Sequence, residues 1–382
     1  MDEMRMIKSF LDEAPPSGEV MEEGRRRLTG GVPHSRPRTR RRLWGGLTVL
    51  GAAAVALAVA LMGGGVSPSR RPVEPVRTLT ARQVLLTAAD KAAAAPVGRY
   101  WHTHVISSEG YHIDHGDYMI FGARQEIDQW IARGDKDPDV FRSRFAGSTP
   151  QTAADHAAWQ RAGSPASWRV LSNGDHIPQS AKSGAWDLRR ASPADKREEK
   201  RFEAGMAKRC AAHPKACPPI PPGPKEREAM AHDPQALKRY LLGVAGMGGS
   251  SYLLTVAGGF LLDPSSPELR SAVFRVLADE PGVRSLGTAR DPLGRPAIVL
   301  AGRTTQNKNV YDNELLLDPK TYVPLGVQTV LVHGNGGKRV AQPAGRPPIQ
   351  SGGLETKGMK PGAVTHSEIY LAMGWTDTAY GG

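Results

Sequence analysis

The chain has 382 residues, with 50 Lys and Arg against 38 Asp and Glu, and carries a net charge of +12. That length suits two ordinary domains, and no basic stripe interleaved with aromatic residues occurs, which argues against a nucleic-acid groove. Forty-three Gly and 31 Pro exceed average usage and predict long irregular connections between the structured pieces.

Residues 1–42 form a tail too short and too polar to bury a core. Met4, Ile7 and Leu11 recur at helical spacing with Phe10 beside them, which predicts a short amphipathic helix over residues 1–14, ended by Pro15-Pro16. From Ser17 onward the tail is polar, broken by Gly and Pro, and increasingly rich in Arg. Leu43 to Met62 then reads LWGGLTVLGAAAVALAVALM, without a charge, behind Arg40-Arg41-Arg42. A helix of that length spans about 30 Å, so this stretch is expected to cross a lipid bilayer. Arg36, Arg38 and Arg40 to Arg42 before it, against Arg70 and Arg71 well after it, place the N-terminus in the cytoplasm and the rest outside the cell membrane. Thr39 to Leu43 also looks like a twin-arginine export signal, and Ala58-Val59-Ala60 has the form of a cleavage site, so an exported structural envelope protein is the competing expectation.

Residues 63–79 read as a Gly/Pro/Ser/Arg linker, and residues 80–382 as the extracytoplasmic domain. Thr80 with Gln83 three residues on predicts a capped helix whose apolar side is Val84, Leu85, Ala88, Ala89 and Ala92, ended by Pro96 and Gly98. RYWHTHVIS, from Arg99, reads as a strand with Tyr118 to Phe121 as its hairpin partner. Thr149-Pro150 starts a short helix through Ala153, Ala157 and Trp159 to Gly163. Residues 172–232 are expected to be long loops around a charged helix near Asp195 to Arg209. Asp233-Pro234 opens a helix carrying Leu237, Tyr240, Leu241 and Val244, and Ser266-Pro267 caps another carrying Leu269, Val273, Val276 and Leu277. Four strand-like runs follow, Val283 to Thr288, Pro296 to Arg303, Glu314 to Leu317 and Val323 to Val332, joined by turn chemistry at Asp291-Pro292 and Asp318-Pro319. They predict a helix packed on an antiparallel meander. Residues 334–364 are again Gly/Pro-rich, and Ser367 to Trp375 is an apolar closing segment expected to dock on the domain.

The candidate site is the group His102, His104, His112 and His115, with Asp114 and Asp117 interleaved. On a strand His102 and His104 share a face, and a hairpin brings His112 or His115 opposite, a donor set that suits zinc or copper. Cys210 and Cys217 enclose six residues in a compartment where disulfides persist, and a Cys-His-Cys metal clip through His213 is the rival arrangement. Gly246-Met247-Gly248-Gly249-Ser250 and Gly334-Asn335-Gly336-Gly337-Lys338 lack the flanking residues of a nucleophile turn and a phosphate loop, so both read as turns, and no cofactor is expected.

The series Leu85 to Asp90, Gly98 to Trp101, Ala158 to Pro165, Asp233 to Leu237, Pro281 to Val283 and Leu315 to Pro319, behind an Arg-flanked span, resembles a family of actinobacterial single-pass membrane proteins. That family is often encoded near extracytoplasmic-function sigma factors and has no established activity. The exterior is also similar in outline to the curved sheets of lipoprotein carriers and of periplasmic anti-sigma regulators, which implies an acyl chain or peptide on the concave sheet. A His-x-x-x-Cys-x-x-Cys motif of true anti-sigma factors does not occur in the tail. The expected fold class is therefore α+β, one N-terminal transmembrane helix followed by an antiparallel sheet with packed helices and long Pro/Gly-rich loops. The expected function is a membrane-anchored domain that binds a ligand, lipid or protein, with residues 1–14 reaching a cytoplasmic regulator. The alternative is a metal-dependent hydrolase using His102 and His104.

Overall fold

The computed structural model describes residues 79–172, 175–212, 222–245, 252–338 and 356–380. It corrects the expected fold class: the described chain is mostly antiparallel sheet with seven α-helices, and among the described residues no helix is long and apolar enough to cross a membrane. The longest helix, α3 (Pro193–Ala212), is charged on all sides rather than apolar. The tail 1–42, with its helix over 1–14, the apolar stretch 43–62 and the linker through residue 78 lie outside the described residues.

Thr80 caps α1 (Ala81–Ala93) through the box with Gln83, and Val84, Leu85, Ala88 and Ala89 bury its apolar side. A long hairpin follows, β1 (Tyr100–Ile113) and β2 (Tyr118–Ala132), whose turn places Gly116 and Asp117 at positive φ. β3 (Asp139–Phe145) extends the sheet and the short β4 (Thr149–Pro150) pairs with β2. Thr152 and Asp155 cap α2 (Ala153–Arg161). Between residues 167 and 232 the chain forms a separate ribbon, β5 (Ser167–Ser172) with β6 (Asp175–Ser180), then β7 (Asp187–Ala191), α3, α4 (Pro224–Ala229) and a 3-10 turn; the charged helix expected near Asp195 to Arg209 is α3, while β6, β7 and α4 stand where only loops were expected within 172–232. α5 (Pro234–Ala245), α6 (Leu253–Leu262) and α7 (Pro267–Ala278) precede the meander β8 (Val283–Arg290), β9 (Pro296–Gln306), β10 (Asn309–Leu317) and β11 (Pro324–His333). The closing segment is a full strand, β12 (Val364–Thr376).

The ten-stranded sheet runs β7-β3-β2-β1-β12-β11-β10-β9-β8, with β4 at the side of β2. β12 thus joins the N-terminal hairpin to the meander, pairing Trp101 with Trp375 on one side and Gln328 with Ser367 on the other. Helices α1, α5, α6 and α7 cover one face, where their buried leucines meet Ile298, Leu300, Leu315, Leu317 and Val327 in a single core. That face is filled by the helices. α6 lies close because residue 258 is glycine: a Cβ there would stand 2.3 Å from Val327 Cγ1. The carbonyls left over at its C-terminus are taken by Trp101 Nε1 on Leu262 and Arg270 Nη1 on Leu261.

Register irregularities recur along the sheet, and two of them share a support. The register shifts at His104/Val105 against β12 and at Leu316/Leu317 against β11. Arg295, held by Asp291, donates to the carbonyls of Tyr370 and Leu325 beside those bulges. One guanidinium therefore satisfies acceptors on two neighbouring strands where the pairing is irregular.

Candidate functional site

The four histidines occupy two separate places. Along β1, alternation puts His102 and His104 on one face, away from the helices. Ten residues of strand, about 33 Å, separate His102 from His112, so the hairpin does not fold one pair over the other.

At the first place, three strands build two parallel rows. His102 Nε2 meets Asp128 Oδ1 at 2.8 Å, and Arg142 Nη2 meets Asp128 Oδ2 at 3.0 Å. His104 Nε2 meets Glu126 Oε1 at 2.8 Å, and Arg144 Nε meets Glu126 Oε2 at 2.6 Å. The register opposes Asp128 to Arg142 and Glu126 to Arg144, while each imidazole reaches diagonally to a carboxylate. Both carboxylates are buried. Burial pushes the Glu126 carboxyl up, but Arg144 and His104 outweigh it and hold it below the usual carboxylate range. Aromatic rings close the rows: Trp130 stacks on His102 at 4.3 Å, and the Arg142 guanidinium lies between Trp186 at 4.2 Å and Tyr380 at 4.5 Å. An imidazole–carboxylate pair is the base half of a proton relay, yet here the second oxygen of each carboxylate is already committed to arginine. The signal for this array was readable. Glu126, Asp128 and Trp130 alternate along β2, and Arg142 and Arg144 alternate along β3 with opposite charge.

At the second place, the β1–β2 turn, the β5–β6 ribbon and residues 357–359 enclose a cavity of about 430 Å³. Its floor is aromatic. Tyr118, 1% exposed, accepts a hydrogen bond from Trp168 Nε1 at 2.9 Å, and Tyr111, Val170 and Ala158 pack around the pair. Burial pushes the Tyr111 hydroxyl above the ordinary phenol range. His112 forms one wall, its Nε2 2.9 Å from Asp117 Oδ1, while Lys360 Nζ donates to Asp117 Oδ2 at 2.7 Å. Lys360 and then His112 hold the exposed Asp117 carboxyl below its usual range. Gly358, at φ +76, lies flat on the imidazole, and a Cβ there would stand 2.2 Å from His112 Nδ1. His115, Arg169, His176 and Lys357 line the rim. The sequence pointed to His112 and His115 but not to Trp168 or Tyr118, whose neighbourhood arises only when β5 folds back over the hairpin.

Among the described residues no group of three or more His, Cys, Asp and Glu stands close enough to hold a metal ion. His102 and His104 are each tied to their own carboxylate, and His112 and His115 face the cavity. Cys210, in the last turn of α3, is buried, and no described cysteine is free; Cys217 and His213 lie outside the described residues. No family model, no curated protein and no solved structure matches the chain.

Proposed function

We propose that the chain is a binding protein for a small amphiphilic ligand, held in the cavity between the β1–β2 turn and the β5–β6 ribbon. The observation that carries this reading is the cavity itself: its volume, about 430 Å³, falls in the range of small-molecule sites, and its floor is a hydrogen-bonded indole–phenol pair. Preorganisation supports it, since Gly358, Asp117 and Lys360 fix the His112 wall before anything enters.

Titration with the uncharged fluorescent amphiphile N-phenyl-1-naphthylamine tests the reading. Its emission is expected to rise on binding, and Met359→Trp, which puts bulk into the lining, is expected to weaken binding about tenfold, equal to about 1.4 kcal/mol. Equal affinity in the parent and Met359→Trp proteins, both folded by circular dichroism, would remove the cavity as the site.

A further inference from the structure

We infer that the ligand of this cavity is a monoanionic amphiphile, a carboxylate or sulfonate on an aromatic or short acyl body. The inference rests on the cavity being the binding site and adds the chemistry of its occupant. The lining is uneven in charge: Arg169 and Lys357 stand at the rim, and the one carboxylate there, Asp114, is 80% exposed and lies 3.2 Å from His112 Nδ1. Neither rim cation has a carboxylate partner among the described residues, and Arg169 donates only to the His176 carbonyl. By contrast, Lys360 beside the same wall is paired with Asp117 and so is not available to a ligand.

The buried end of the cavity points the same way. An indole N–H can only donate, so Trp168 uses Tyr118 Oη as acceptor and leaves the Tyr118 hydroxyl proton free to donate. Among the described residues no oxygen accepts that proton, although the side chain is 1% exposed. A buried donor without an acceptor costs about 1–3 kcal/mol, which a ligand oxygen would recover. The cavity therefore offers donors at both ends, Tyr118 within and Arg169 and Lys357 at the rim, around a body of Trp168, Val170 and Met359. A ligand rich in acceptors and carrying one negative charge complements that set, and a cationic ligand does not.

The test compares two probes that share one body, N-phenyl-1-naphthylamine and its sulfonated analogue 8-anilinonaphthalene-1-sulfonate, on the full chain. The sulfonate is expected to bind about three- to tenfold more tightly at low salt, with the advantage falling as salt rises, as exposed charges allow. In the double variant Arg169→Gln/Lys357→Gln the ratio of the two affinities, both measured on that variant, is expected to fall to about one; both positions are exposed, so the fold is not at stake. Equal affinity for the two probes, or an advantage that survives the double substitution, would overturn the anionic assignment and leave the cavity in place. Loss of selectivity for the cavity itself reads out separately, as indifference of the uncharged probe to Met359→Trp.

Discussion

His366 sits on β12 between two carboxylates, Glu109 at 3.0 Å and Glu368 at 3.9 Å. The hydrogen bond to Glu109 raises its pKa against the opposing effect of burial, with both carboxylates adding charge attraction. A raised folded-state value means that the contribution to stability is complete below the unfolded value, about 6.5, and is lost as pH rises through the folded one. Urea unfolding at pH 6 and pH 9 is expected to show a difference of up to about 1 kcal/mol from this source, discounted because Glu109 is half exposed. His366→Gln is expected to flatten it; an unchanged pH difference would assign the slope to other groups. Arg270 shows the opposite case at the same scale. It is buried with no carboxylate paired to it among the described residues, burial pushes it down to about 10, and it is held by Trp101 at 4.5 Å and the Leu261 carbonyl. Its charge is thus offset in part by a helix C-terminus, where the backbone carries partial negative charge.

At the scale of elements, α6 shows how two adjacent glycines differ. Gly258 faces Val327 and the Tyr370 hydroxyl at close range, whereas nothing lies within 4 Å of a Cβ built on Gly259. Gly258→Ala is expected to cost about 1–3 kcal/mol by overpacking, and Gly259→Ala to add up to about 1 kcal/mol by helix propensity. Thermal unfolding of both variants checks this, and a common sign for the two would mean that α6 does not approach the sheet as described. α6 also shows what local reasoning passes over. LLTVAGGFLL has no polar face, so periodicity marks no boundary in it, and only the sheet beneath explains its glycines. α1, α7 and the meander were legible because Thr80, Ser266 and the Asp-Pro turns encode their ends locally. The rows of His102, Asp128, Arg142 and of His104, Glu126, Arg144 were half legible. The alternation is in the sequence, but the diagonal reach of each imidazole depends on a register between strands that the sequence does not state. The cavity was least legible, since its floor comes from β2 and β5, which only tertiary folding brings together.

For the whole molecule, charge and edges act together. The exposed edge strand β7 carries Asp187, Arg189 and Arg190, which discourages pairing with another sheet. α3 leaves Phe202 64% exposed and carries the buried Cys210 in its last turn. A Cys210–Cys217 disulfide is proposed from the spacing of the only two cysteines in the sequence, and it would close a small covalent ring over residues 210–217. Intact mass before and after reduction is expected to differ by two hydrogens in protein folded under oxidising conditions; two alkylatable thiols in the native protein would refute the pairing. The position of β12 has a kinetic meaning. A nascent chain exposes β1 and β2 long before β12 emerges and the meander shortly before it, and β1 and then β11 present unpaired edges toward the gap that β12 will fill. Pairings such as His104 with Ala372 close a loop almost as long as the described chain, so their entropic cost falls on the last step. Completion of the sheet is therefore expected to wait until β12 has been made, with the edges of β1 and β11 held open in the interval.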